Sequence, residues 1–139
     1  MSEKFRNTAA ALLVALAGLA PSAHAETPNE ILASIRQEAA SAPGFLAFSA
    51  ARGERLFNSK HGSDWSCSSC HTENPAATGK HAKTGKAIEA LAPSANAERF
   101  TNPKKVEKWF KRNCNDVLNR ACTAQEKGDV LAYLLTVKK

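Results

Sequence analysis

Cys67-Ser68-Ser69-Cys70-His71 decides how the rest of the chain is read. Two cysteines separated by two residues and followed at once by histidine fit C-x-x-C-H, the spacing of covalent haem attachment. Within one helical turn both sulfurs can form thioethers with the two haem vinyl groups, while the next imidazole projects beneath the iron. The motif therefore predicts one haem c, held by Cys67 and Cys70, with His71 as the proximal iron ligand. Other uses of the pair compete less well. A structural zinc site needs a second ligand pair of compatible spacing, and Cys114 and Cys122 do not form a second C-x-x-C. A thioredoxin-like redox pair belongs in a βαβ setting, and a bare disulfide leaves His71 unexplained.

Outward from the motif, the pattern is one of short helices and loops. Thr27-Pro28-Asn29-Glu30 reads as a capping box with proline at the first helical position, and Ile31, Leu32, Ile35 and Ala39 follow as an apolar stripe. Ser41-Ala42-Pro43-Gly44 ends that helix. A second helix starts near Ser49 and carries Gly53, Leu56 and Phe57. Residues 72–102 lack a sustained period and read largely as loop. Asn102-Pro103 opens a helix with Val106, Trp109 and Phe110 on one face. Thr123-Ala124-Gln125-Glu126 is another capping box, opening a last helix with Val130, Leu131, Leu134 and Leu135 on one side. No stretch alternates like a strand for more than a few residues, so the expected class is all-α. Thr78-Gly79-Lys80 and Thr84-Gly85-Lys86 miss the spacing of a phosphate-binding loop, which removes a nucleotide site.

Residues 1–25 contain the parts of a secretory signal in order: Lys4 and Arg6, an apolar run from Ala9 to Ala20, and Ala23-His24-Ala25 as the cleavage site. The run is shorter than the roughly 18 apolar residues that span a bilayer. The expectation is a signal peptide over 1–25 and one mature domain over 26–139, periplasmic and with no membrane span. The chain is basic, with a formal net charge of +6. Its lysines gather in two clusters, Lys80, Lys83 and Lys86, then Lys104, Lys105, Lys108 and Lys111. Charge complementarity of this kind speeds docking with redox proteins, although a merely solvated helix face explains the second cluster equally well. Nucleic acid is not an expected partner of an exported haem protein.

The attachment motif, the Gly53-x-x-Leu56-Phe57 segment and Gly128-Asp129-Val130-Leu131-Ala132-Tyr133-Leu134 together resemble a small class I cytochrome c. The resemblance implies a helical domain wrapped around one haem, its first and last helices crossing, with Gly53 set against Tyr133. Electron carriers of that fold use methionine as the sixth ligand, which raises the potential. Here the only methionine is Met1, within the expected signal, so methionine ligation is excluded. His61, His81, several lysines, an asparagine, or no sixth ligand at all remain as candidates. Both histidines read as solvent-facing, and a lysine, with an ordinary pKa of about 10.4, must first lose its proton.

Trp109-Phe110-Lys111-Arg112-Asn113-Cys114-Asn115 followed by Cys122 resembles the SHP group of oxygen-binding cytochromes c, as do Thr84-Gly85-Lys86, Leu91-Ala92-Pro93-Ser94-Ala95 and Arg99-Phe100-Thr101. The resemblance implies that Asn113 binds the ferric iron. By itself Asn113 reads as a left-handed helix C-cap, and Asn115 is its rival, since i and i+2 point the same way in an extended loop. The resemblance also implies a disulfide between Cys114 and Cys122, a closure that contributes about 2.5 kcal/mol in the chain-entropy picture and limits how far Asn113 moves. It further implies a dihaem c-type cytochrome as electron donor and a diatomic ligand, O2, NO or CO, at the ferrous haem. A catalytic role in oxygen or nitric oxide chemistry stays open. So do a six-coordinate electron shuttle and, from another class, a thiol-disulfide enzyme using Cys67 and Cys70.

Overall fold

Residues 25–139 are described by a computed structural model. The expected signal segment, apart from Ala25, lies outside the described residues. The element order is α1 (Pro28–Ala40), α2 (Ala50–Asn58), α3 (Ser68–His71), β1 (Gly79–Lys80), β2 (Ala87–Ile88), α4 (Pro103–Leu118) and α5 (Ala124–Thr136). Among the described residues no helix is long and apolar enough to cross a membrane.

Local chemistry accounts for the helix starts. Thr27 and Glu30 form a reciprocal box at α1, the Thr27 amide donating to Glu30 Oε2 at 2.6 Å and the Glu30 amide to Thr27 Oγ1 at 3.3 Å. Thr123 and Glu126 repeat it at α5. Ser49 and Asn102 cap α2 and α4, accepting from the amides of Arg52 and Lys105. Each cap satisfies an amide that the helix itself leaves open, for about 1 kcal/mol.

α5 is the centre of the molecule. The sequence pattern places its apolar residues on one side, but they divide between two partners. Val130, Tyr133 and Leu134 pack with Phe57 of α2, while Leu131 packs with Ile31 and Ile35 of α1. A helix clasped from two directions is apolar around most of its girth, and fully burying Phe57, Leu131 and Leu134 is favourable by roughly 1.5–3 kcal/mol each. The contact point of the crossing differs from the expected one. The helix carrying Gly53, α2, crosses α5 as expected, but Gly53 faces the backbone of Asp129 and Val130 rather than Tyr133, and a Cβ there would overlap the Asp129 carbonyl. Tyr133 lies further along, its ring 5.5 Å from that of Phe57.

Two buried charges hold this arrangement, and neither is visible in an apolar pattern. Asp129 accepts from the Ser49 amide at 2.7 Å, from Arg52 Nε at 2.8 Å and Nη2 at 3.0 Å, and from Gln125 Nε2 at 3.1 Å. Lys127 reaches Glu107 of α4 at 2.9 Å and Glu38 of α1 at 3.5 Å. A buried charge persists where such partners surround it.

Residues 72–102 are mostly loop, as expected, but include the two-residue antiparallel ladder of β1 and β2, pairing Gly79 with Ile88 and Lys80 with Ala87. The first Thr-Gly-Lys repeat runs into β1, and the second lies in the connection between the strands. Buried Pro75 fastens the rest of the loop, its carbonyl accepting from the amides of Leu91 and Ala92 at 2.8 and 2.9 Å. Phe100 has a left-handed φ of 58°, costly for a bulky residue; packing against both apolar clusters holds it there.

Candidate haem-binding site

The segment that carries the attachment motif is a single helical turn. Cys67 is its N-cap, and its carbonyl accepts from the amides of Cys70 and His71 at 3.2 and 3.0 Å. Ser66, buried, forms a reciprocal cap with Ser69: the Ser66 amide donates to Ser69 Oγ at 2.9 Å and the Ser69 amide to Ser66 Oγ at 3.2 Å. The spacing Ser66-x-x-Ser69 is the signal that could have revealed this cap in the sequence. Behind the turn, Gly79 lies so close to the Cys70 carbonyl that a Cβ there would overlap it. The β1–β2 hairpin is thus seated on the motif, and the Ala82 amide donates to Cys70 Sγ at 3.3 Å.

Neither Cys67 nor Cys70 is in a disulfide. Burial pushes the Cys67 thiol up to about 11, the reverse of the depressed pKa that makes a thiolate nucleophile, which weighs against a thiol-disulfide enzyme. Burial, with a smaller contribution from the Arg99 guanidinium, holds His71 down at about 4. Its imidazole is therefore neutral, the form that donates to a metal. Its Nδ1 is buried without a hydrogen-bond partner among the described residues, and buried polar atoms left so are uncommon. Two free sulfurs on one turn beside a neutral, incompletely satisfied imidazole have the donor chemistry that a covalent haem requires.

Asn113 is neither a C-cap nor part of an extended loop. α4 runs on to Leu118, and it is Asn119 that takes the left-handed cap conformation, with φ 56°. Asn113 and Asn115 consequently point about 160° apart around the helix. Asn113 falls between Trp109 and Phe110, about 40° from the one and about 60° from the other. Phe110 packs against the Phe57 cluster, whereas Trp109 is 47% exposed. Asn113 is exposed on the flank of the buried face. Asn115 instead lines an open, polar cleft of about 380 Å³ with Ser63, Asp64, Trp65 and Lys83.

Cys114, buried next to Asn113, has its sulfur within bonding distance of Cys122, with Cα atoms 5.5 Å apart. Ser63 Oγ lies 2.8 Å from the Val117 carbonyl, so the last turn of α4 is tied to the segment leading into the motif. The two other ligand candidates are half-buried rather than solvent-facing. His61 Nε2 lies 3.0 Å from the Leu56 carbonyl. His81 Nδ1 accepts from the amides of Lys83 and Thr84 at 3.3 and 3.2 Å, closing the hairpin turn. Arg99, which the sequence shows only as part of the Arg99-Phe100-Thr101 resemblance, anchors the loop by donating to the carbonyls of Ala90 and Glu89 at 2.9 Å each.

Residues 43–134 match a family described as a domain of unknown function, DUF1924. Cytochrome c'' of Methylophilus methylotrophus is 48% identical over 85 residues, 61% of this chain and 59% of that protein's length. Its solution structure, described as giving insights into haem-ligand detachment, superposes with a TM-score of 0.70 over 81% of this chain and 94% of that one, at 38% identity. The cytochrome c-type protein SHP of Cereibacter sphaeroides is 42% identical over 112 residues, covering 78% of this chain and 82% of that protein. The structure of oxidized SHP, described as an oxygen-binding cytochrome c, has a TM-score of 0.69 at 41% identity, over 79% of this chain and 96% of that one.

Proposed function

Because the chain belongs to the DUF1924 family and to the cytochrome c''–SHP group of monohaem cytochromes with covalent haem c, we propose that it is an exported electron acceptor that opens its own haem to a diatomic gas on reduction. The haem supplies a reducible iron with one exchangeable position. In this reading Cys67 and Cys70 hold the ring covalently and the neutral His71 imidazole is the proximal donor. Asn113 would supply the other side-chain donor to the iron in its ferric state. Its amide oxygen is a neutral, hard, weak donor, so lowering the charge on the metal weakens the attraction and Asn113 departs. Distal polarity and access then govern which gas enters; O2 has the support of the SHP relative's description, and NO and CO are further candidates.

The observation that carries this reading is the place of Asn113, on the flank of the buried face of α4 beside Phe110, in a chain whose only methionine is Met1. Asn115 is turned away, and His61 and His81 engage local backbone groups. The Cys114–Cys122 disulfide restrains the helix at the residue after the ligand. On the SHP resemblance the electron donor is a dihaem c-type cytochrome, and the signal-like residues 1–25 support a periplasmic location. A six-coordinate shuttle that never opens is the alternative.

Asn113→Ala tests the ligand. The variant is expected to keep covalent haem, to show a changed ferric spectrum, and to bind azide roughly tenfold more tightly, since about 1.4 kcal/mol of internal competition is lost. CO binding to the ferrous protein should change by less than about threefold, because Asn113 has already left. An unchanged ferric spectrum in Asn113→Ala, with a changed one in Asn115→Ala or His81→Ala, would show that the wrong ligand is named.

A further inference from the structure

The outward face of α4 is built against its own stability. Lys104, Lys105, Lys108, Lys111 and Arg112 are all exposed, and none of them forms an ion pair among the described residues. Lys104 with Lys108, and Lys108 with Arg112, are like charges at i,i+4, a spacing that destabilises a helix. The first turn holds Lys104 and Lys105 and no acid, opposite to what the helix dipole favours. Of the two acids in the helix, Glu107 is engaged with Lys127, and Asp116 lies on the open cleft by Asn115. A feature that violates local rules in several ways at once is expected where function requires it.

The edge of this face is aromatic. Trp109, 47% exposed, has the Arg112 guanidinium 5.5 Å and the Lys108 ammonium 5.9 Å from its ring centre. Tryptophan and arginine are enriched at protein interfaces. Around the helix the order is Lys108, Arg112, Trp109, Asn113, so the basic face runs directly into the flank carrying the proposed ligand. The hairpin lysines form a different kind of cluster. Lys83 is already stacked on Trp65 at 4.7 Å and borders the polar cleft.

We propose that the outer face of α4, from Lys104 to Arg112 with Trp109 at its rim, is the docking surface for an acidic redox protein. A reduced, negatively charged partner seats there and passes one electron to the ferric haem next to Asn113. This rests on the electron-accepting role proposed above. Attraction across such a face raises the association rate and is weakened by salt.

Two reductants separate docking from electron acceptance: photogenerated flavodoxin semiquinone, an acidic protein, and free lumiflavin semiquinone, which is neutral. Lys104→Glu/Lys108→Glu in the holoprotein should slow reduction by flavodoxin roughly tenfold at low ionic strength and flatten its salt dependence, leaving the lumiflavin rate unchanged. The reversal places an acid in the first turn and, at position 108, a negative charge one turn before Arg112, an attractive spacing on a helix. Thermal unfolding should therefore occur no earlier. The charge-matched Lys80→Glu/Lys86→Glu should have little effect on either rate. An unaltered flavodoxin rate in the α4 variant, or an equal loss in the hairpin variant, overturns the docking surface. Failure of lumiflavin semiquinone to reduce the unmutated protein overturns the electron-accepting role and the docking proposal with it.

Discussion

Replacing Cys67 and Cys70 together by alanine abolishes covalent haem, the largest effect expected of any change in this chain. Of the other cysteines, Cys114 lies in α4 with its sulfur at bonding distance from Cys122, so no second pair has the spacing for two thioethers. The turn itself does not depend on the sulfurs. Ser66 and Ser69 cap it, and the hairpin seats Gly79 against it, so the alanines leave these backbone contacts in place and lose, besides the attachment chemistry, the Ala82 bond to Cys70 Sγ and the packing of the Cys67 sulfur. Haem staining after denaturing electrophoresis, with the intact mass, reads the result. Complete loss of the haem band is expected, and a band that persists contradicts the assignment.

Gly53→Ala should be severely damaging to the fold. A Cβ at Gly53 meets the carbonyl of Asp129 and the amide of Val130. These are backbone atoms of the central helix that cannot turn aside, so α2 and α5 must separate. Separation stretches the bonds from Asp129 to Ser49 and Arg52 and opens the packing of Phe57 against Leu134. A loss of about 3 kcal/mol or more is expected, at the upper end for overpacking, which in a domain of this size lowers Tm by roughly 12 to 24 °C. Gly44→Ala is the comparison. Its Cβ meets nothing within 4 Å, but its φ of 77° is left-handed, so it should cost only about 1 kcal/mol. Thermal unfolding of both holoproteins decides, and a Gly53→Ala loss no larger than that of Gly44→Ala would mean that the two helices are not in such close contact.

Gly53 also shows how far this fold could be read before its structure. A glycine within an amphipathic helix signals a close neighbour, and the neighbour is α5, but one sequence cannot tell which turn of α5 makes the contact. Tyr133 was the expected partner; the backbone at Asp129 is the actual one. Helix starts were legible because caps are local: Thr27 with Glu30 and Thr123 with Glu126 lie three residues apart. Asp129 with Arg52 and Lys127 with Glu38 were not, because their partners are distant in sequence and become neighbours only after α1 and α2 have packed on α5.

The candidate site divides in the same way. Cys67, Cys70 and His71 are readable because one turn of chain contains all the donor chemistry. Asn113 comes from the resemblance, whereas its local reading as a C-cap rests on asparagine's usual role at helix ends. The helix continues because Cys114 and Val117 are buried on its inner face, and that tertiary packing outweighs asparagine's preference for caps. The continuation matters for function, because it places Asn113 and Asn115 on opposite sides where a loop would have aligned them.

The most direct test of the central claim, that reduction frees the sixth position, is the optical spectrum of the unmutated holoprotein in the ferric state, in the ferrous state, and in the ferrous state under CO. A ferrous spectrum of the five-coordinate, high-spin kind that changes fully on adding CO is expected. A low-spin, six-coordinate ferrous spectrum indifferent to CO would contradict the claim and leave the chain an electron shuttle.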